Sequence, residues 1–250
     1  MKTTKTIVAI GGGELKDLDT LLIDQAIVRL VKKRQPRVLF IPTASNDAIG
    51  YWEVFKNVYG EKLGCRTDKL LLLKEQLTKA EIEGKIFSAD IIYVGGGNTL
   101  RMLRVWRKYG VDVLLKKAYE EGVVLAGLSA GAISWFRYGV SDSRRLINGK
   151  QKDVRMRVSG LDLVPCTVSP HHIREKKLQD KGLADIMKRT SGVGLAIDDS
   201  AAILLQNETF EVLRSKKESG IKKVFNEKGK IKRVPLEENG SLESLFSKNC

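Results

Sequence analysis

The sequence predicts an α/β fold: a doubly wound, mostly parallel sheet with helices on both faces and an antiparallel meander at one edge. Three observations carry that expectation. From Thr6 to Ala132, short apolar runs alternate with segments of helical periodicity, the pattern of successive strand-helix units. Glycine clusters stand at the ends of apolar runs, in Gly11-Gly12-Gly13, Gly95-Gly96-Gly97 and around Gly127 and Gly131. Late in the chain, Gly194–Ile197, Ala201–Leu205 and Thr209–Leu213 follow one another as short strand-like segments.

Taken in order, Thr6–Ile10 reads as a buried strand. Leu18–Lys33 reads as a helix, with Leu18, Leu22, Ala26 and Leu30 in one row and Ile23, Ile27 and Val31 beside it. Pro36 breaks the chain before a second strand, Val38–Ile41. Tyr51–Leu63 is helical and stopped by Gly64, and Lys69–Leu73 is a third apolar run. Thr78 and Glu81 have the spacing of a capping box at the head of a helix running to Phe87. Ile91–Val94 is a strand, Thr99–Tyr109 and Val111–Glu121 are helices, and Val123–Ala126 is the next strand. Beyond it the pattern loosens. Tyr138–Gly160 is polar and expected to be rich in loops, Leu161–Val168 is a short apolar stretch, and Arg174–Arg189 suits a helix interrupted or bent near Gly182.

The 250 residues, 42% hydrophobic and 30% charged, fit one domain spanning 1–250. No apolar run approaches the roughly 20 residues that span a bilayer, and nothing reads as a signal peptide. Cys65, Cys166 and Cys250 are odd in number and widely spaced, which suits a reduced, cytoplasmic compartment. The only histidines are the adjacent His171 and His172, so no spaced ligand set for a metal is expected. The net charge of +14 owes much to Lys216–Arg233. That segment lacks the interleaved aromatics that base stacking uses, so it reads as solvated basic surface rather than a nucleic-acid site. A homodimer is left open.

The segment Val123–Ala132 carries the chemistry. An apolar strand ends in Gly127-Leu128-Ser129-Ala130-Gly131, the Gly-x-Ser-x-Gly pattern of a nucleophile elbow that holds a serine hydroxyl out at a strand-to-helix turn. The serine needs a base, and with two histidines in the chain the choice falls on His171, which follows Pro170 at the end of an apolar run. A carboxylate must fix its tautomer. Asp198 and Asp199 at a strand end, and Asp142 after the elbow helix, are the candidates. The Ala130 N–H opens the elbow helix and Gly97 belongs to a glycine loop, so these two are expected to supply the oxyanion donors. Gly96 and Asn98 of the same loop are expected at the substrate. Gly11-Gly12-Gly13 reads only as a tight turn.

Gly95-Gly96-Gly97-Asn98 after a strand, Gly127-Leu128-Ser129-Ala130-Gly131-Ala132 further on, and Ser169-Pro170-His171-His172 beyond that together resemble the peptidase E and cyanophycinase family, over about Ile7–Leu205. The resemblance implies a flavodoxin-like fold similar to class I glutamine amidotransferases, and serine peptidase activity with Ser129 as nucleophile and His171 as general base. It implies Asp199 as the acid, with Asp198 a one-residue ambiguity and Asp142 at a second acidic position. It also implies no metal or organic cofactor, and small peptide substrates cut beside aspartyl residues. After His171 the sequence departs from the dipeptidase branch, reading Ile173-Arg174-Glu175-Lys176-Lys177. Arg174 or Arg101 is the candidate partner for a substrate carboxylate. Two alternatives stand beside this reading: an esterase or other hydrolase on the same fold, and a non-catalytic basic binding protein.

Overall fold

The structure is a computed structural model that describes residues 3–143, 146–147, 150–151, 155–172 and 176–248. Its first half follows the expected alternation: β1 (Thr6–Ile10), α1 (Leu21–Arg29), β2 (Arg37–Ile41), α2 (Ile49–Phe55, continued by a π-helical stretch Lys56–Lys62), β3 (Arg66–Lys69), α3 (Lys79–Phe87), β4 (Ile91–Val94), α4 (Thr99–Tyr109), α5 (Val111–Glu120), β5 (Val124–Leu128) and α6 (Ala130–Trp135). The strands β3, β2, β4, β5 and β1 lie side by side in that order, every neighbouring pair parallel.

Strand after strand, alternate residues enter different cores. Ile7 and Ala9, Leu39 and Ile41, Ile92 and Val94 pack with α3, α4 and α5, through Ile86, Trp106 and Leu115. Val8 and Ile10, Val38 and Phe40, Ile91 and Tyr93 pack with α1 and α2, through Ile23, Ile27 and Phe55. This is the two-period of a strand with both faces covered, and it explains why these strands read as continuous apolar runs. The Thr78 capping box forms as read: the Glu81 N–H donates to Thr78 Oγ1 at 3.2 Å and the Thr78 N–H to Glu81 Oε2 at 2.8 Å.

The second half departs from expectation in three places. It comprises β6 (Phe136–Ser141), β7 (Leu146–Ile147), β8 (Lys150–Gln151), β9 (Met156–Ser159), β10 (Val164–Ser169), α7 (Lys176–Met187), β11 (Val193–Ile197), β12 (Ala201–Gln206), β13 (Thr209–Arg214), β14 (Ile221–Glu227), β15 (Lys230–Pro235), β16 (Asn239–Ser241) and α8 (Leu242–Phe246). The region expected to be loop-rich supplies the end of β6, which is paired on both sides, and β9, whose polar residues are tolerated at the edge of the sheet. The three late strands do not form one meander. β12 and β13, with β16, extend the first sheet antiparallel from β1, but β11 belongs to a second sheet ordered β15-β14-β11-β10-β6-β9. Basic Lys216–Arg233, read only as surface, contributes the β14–β15 hairpin of that sheet. The second sheet turns one face to the first core, through Val164, Val168, Leu195 and Ile197. α7 covers the other face through Leu183 and Met187; it is a continuous helix past Gly182.

Candidate active site

The carboxyl ends of β5, β10 and β11 converge where the two sheets meet. At the end of β5, Ser129 adopts φ 54° and ψ −106° before α6 begins at Ala130. A side chain in that region is strained and persists only where its surroundings over-determine it. The flanking glycines do so. A Cβ on Gly127 would stand 2.4 Å from the Gly131 carbonyl carbon, and one on Gly131 would stand 2.2 Å from the Val94 carbonyl oxygen. The Ser129 N–H donates to the Ile10 carbonyl at 2.9 Å, and its own carbonyl accepts from Ile133 at 3.0 Å. The bend is therefore pinned to β1 on one side and to α6 on the other.

His171 follows β10 and Pro170, with φ 54°. Its N–H donates to the Gly11 carbonyl at 3.0 Å. Its Nε2 lies 2.8 Å from Ser129 Oγ and its Nδ1 2.6 Å from Asp199 Oδ1. Asp199 sits in the turn that carries the chain from β11 in the second sheet to β12 in the first, and the next residue, Ser200, donates its N–H to the Gly12 carbonyl at 2.9 Å. Serine, imidazole and carboxylate thus form one line of hydrogen-bonded groups, with the His171 and Asp199 side chains 25% and 18% exposed. That arrangement is one that can pass a proton from a hydroxyl to a ring whose far nitrogen is held by a carboxylate.

Gly11-Gly12-Gly13 is part of the site and not only a tight turn. A Cβ on Gly12 would stand 2.4 Å from His171 Nδ1, so the main chain after β1 is the wall against which the imidazole and Asp199 pack. The signal was present in the sequence: this cluster ends a strand, as Gly95-Gly96-Gly97 does.

The other candidates separate clearly. Asp198 is turned away from His171; its carboxylate accepts from the Gly220 N–H at 3.0 Å, and burial pushes its carboxyl above the usual range. Asp142 lines the cleft beside Ser129, and the structure does not bring it to the His171 ring. Gly97, Ala130 and Ser129 share that cleft, of about 230 Å³, with Thr99 and Gln179. Gly96 lies against Ser129, since a Cβ there would be 3.5 Å from Ser129 Cβ. Asn98, expected at the substrate, spends its amide elsewhere: Oδ1 caps α4 by accepting from the Arg101 N–H at 3.0 Å, and Nδ2 donates to the Ser143 carbonyl at 3.2 Å. Arg101 donates to Asn46 Oδ1. Arg174 lies outside the described residues. Among the described residues, no group of three His, Cys, Asp or Glu is placed to hold a metal, and no helix is long and apolar enough to cross a membrane.

Comparison with known proteins gives a concordant picture. The model of Peptidase family S51 matches residues 7–213. A peptidase of Bacillus subtilis (strain 168) named YgaJ, called uncharacterized, is 33% identical over 234 residues, which is 93% of this chain and 97% of that protein. The uncharacterized peptidase Lin0382 of Listeria innocua is 31% identical over 175 residues, 68% of this chain and 81% of the relative. Among solved structures, a peptidase from an acI-B1 actinobacterium superposes with a TM-score of 0.72 at 20% identity, covering 96% of this chain and 98% of that one. A putative peptidase E protein from Listeria monocytogenes EGD-e superposes with a TM-score of 0.64 at 23% identity, covering 86% and 100%. At those identities the structural likeness bears on the fold.

Proposed function

The chain belongs to peptidase family S51, and from that premise we propose that it hydrolyses small peptides with Ser129 as nucleophile, His171 as general base and Asp199 as the carboxylate that orients and charges the ring. The observation that carries the proposal is the unbroken line from Ser129 Oγ through His171, at 2.8 and 2.6 Å, to Asp199 Oδ1.

In this mechanism His171 Nε2 takes the Ser129 proton as Oγ attacks the peptide carbonyl carbon. The imidazolium that forms is stabilised by Asp199 at Nδ1. The carbonyl oxygen becomes an oxyanion facing the N–H groups of Ala130 and Gly97. Ala130 opens a helix, so its N–H has no intrahelical acceptor. Loss of one such donor typically raises the barrier by roughly 2.7–4 kcal/mol. As the intermediate collapses, His171 gives its proton to the leaving amine, and it then activates the water that releases the acyl group from Ser129.

The cleft supports a short substrate. Its volume of about 230 Å³ beside Ser129 suits a short peptide. Asp142 lines that space beside the nucleophile, and an anion there suits the ammonium of a free peptide amino terminus. The basic chain as a whole, at +14, favours approach of acidic peptides through its long-range field.

The test is hydrolysis of a library of di- and tripeptides, aspartyl ones included, beside simple esters, by the wild type and by Ser129→Ala. Turnover of peptides that disappears in a folded Ser129→Ala protein is the expected result. Peptide turnover retained by that variant removes Ser129 from the reaction, and turnover of esters alone moves the assignment to an esterase.

A further inference from the structure

The mechanism uses one of the chain's two histidines and leaves the other, His172, without a role. Yet His172 is only 2% exposed. Its Nε2 stands 3.1 Å from Asp180 Oδ1 on α7. Asp180 is itself gripped by Arg233 of β15, whose Nε donates to Oδ1 at 3.1 Å and whose Nη2 donates to the Asp180 carbonyl at 3.4 Å. Among the described residues, His172 Nδ1 is enclosed with no hydrogen-bond partner. The charges of Asp198, from the turn after β11, and Lys222, from β14, also act on the ring, in opposite directions. A buried ring with an unsatisfied nitrogen is costly, and an apolar side chain of similar size would fill the same space without that cost.

What the position offers is control of the preceding residue. His171 holds φ 54°, a conformation that a non-glycine residue keeps only when both of its flanks are fixed. On one flank its N–H is tied to the Gly11 carbonyl; on the other, the His172 N–H is tied to the Ile197 carbonyl at 3.2 Å. The His172 ring, wedged against Asp180, fixes the same peptide from its side chain.

We propose that His172 is a positioning residue for the reaction. Anchored through Asp180 to Arg233, it holds the 171–172 peptide so that the His171 imidazole stays in line between Ser129 and Asp199. The anchor begins on the basic C-terminal hairpin and ends one residue from the general base. The inference rests on the reading of Ser129 and His171 as the working pair.

The substrate-independent readout is the rate at which a fluorophosphonate probe labels Ser129 in the full chain, measured across pH. Circular dichroism and melting temperature are followed in parallel. His172→Phe, which keeps the volume and loses the ring nitrogens, is expected to label at least about tenfold more slowly, the scale set by small misplacements of a catalytic group, and to shift the pH midpoint of labelling. His172→Gln, which keeps an N–H donor at similar reach, is expected to restore the rate to within about threefold, with the wild-type midpoint. Arg233→Met, on the exposed hairpin, is expected to show a smaller loss in the same direction. A folded His172→Phe protein that labels at the wild-type rate and midpoint overturns the inference alone. If His172→Phe does not fold, an unchanged rate in folded Arg233→Met overturns it instead. Loss that follows melting equally in His172→Phe and His172→Gln also overturns it, because packing alone then accounts for the residue. A wild type that does not label at Ser129 overturns both this inference and the proposed function.

Discussion

Gly12 and Asp199 are packed so closely that a Cβ on the glycine would fall 2.0 Å from the Asp199 Oδ1. Relieving that overlap means moving the carboxylate or the ring, and the same oxygen is held 2.6 Å from His171 Nδ1. One hydrogen on Gly12 is therefore part of the geometry of the carboxylate–imidazole pair.

Gly12→Ala is expected to reduce Ser129 labelling and peptide turnover by about 100-fold or more, since misplacement by about 1 Å is enough for a loss of that size. The chain should still fold, because the overlap is confined to the site. Activity within a few-fold of wild type in Gly12→Ala, measured as kcat/KM, would show that Asp199 can move without consequence.

The two adjacent aspartates should behave oppositely. Asp199→Asn leaves an amide where His171 Nδ1 needs an anion, and the expected fall in kcat is roughly 10⁴-fold. Asp198 is engaged with the Gly220 N–H at 3.0 Å, so Asp198→Asn should act on stability and leave kcat within a few-fold. Asp142→Asn, altering the cleft wall and not the His171 ring, should raise KM for peptides with a free amino terminus more than for amino-acylated ones. Steady-state kinetics on the three variants separates these outcomes, and a collapse of kcat in Asp198→Asn would contradict the assignment.

Ser129 carries stored strain, and its removal should be measurable as stability. A non-glycine residue at φ 54°, ψ −106° costs on the order of 1–3 kcal/mol. Glycine relieves it but loses about 0.5–1 kcal/mol in chain entropy. Ser129→Gly is therefore expected to be inactive yet more stable by about 1 kcal/mol, read from the midpoint of urea unfolding. A Ser129→Gly protein less stable than the wild type would mean that the bend at β5 is relaxed.

Much of this was legible in the sequence, for identifiable reasons. β1, β2, β4 and β5 are buried on both faces, so they appear as uninterrupted apolar runs between glycines. Ser129 and His171 sit at strand ends that those runs locate. β11 could be seen as a strand, but its membership of the second sheet could not, because local pattern does not encode a pairing partner. β9 was hidden by polar residues that its edge position tolerates, and β6, interior to the second sheet, by its mixed Arg137, Gly139 and Ser141. Asp198 and Asp199 are one residue apart, so only the direction of each side chain, towards Gly220 or towards His171, tells them apart. That Gly11-Gly12-Gly13 ends a strand is visible in the sequence, but the role of Gly12 against Asp199 is not. It depends on β1, β10 and the β11–β12 turn meeting in space, and no short window of sequence contains all three.

Asp24 gives a prediction far from the chemistry. It lies on α1, 1% exposed, where Oδ1 accepts from the Tyr59 hydroxyl and Oδ2 from Thr20 Oγ1, both at 2.8 Å. Burial pushes its carboxyl up to about 7, and the two hydrogen bonds only partly oppose that. The folded chain therefore holds this proton more tightly than the unfolded chain, whose aspartates titrate near about 4. The stability from this group is complete below about pH 4 and is lost as pH rises towards 7, by roughly 4 kcal/mol across the interval. In Asp24→Asn the oxygen still accepts from Tyr59 and the amide can donate to Thr20, but nothing ionises. The difference in melting temperature between Asp24→Asn and wild type should grow in favour of the variant from pH 5 to pH 8 and then level off. Parallel melting curves for the two proteins over that range would mean that Asp24 ionises in the folded chain at an ordinary pH, and that its burial is relieved in a way the packing around Tyr59 does not account for.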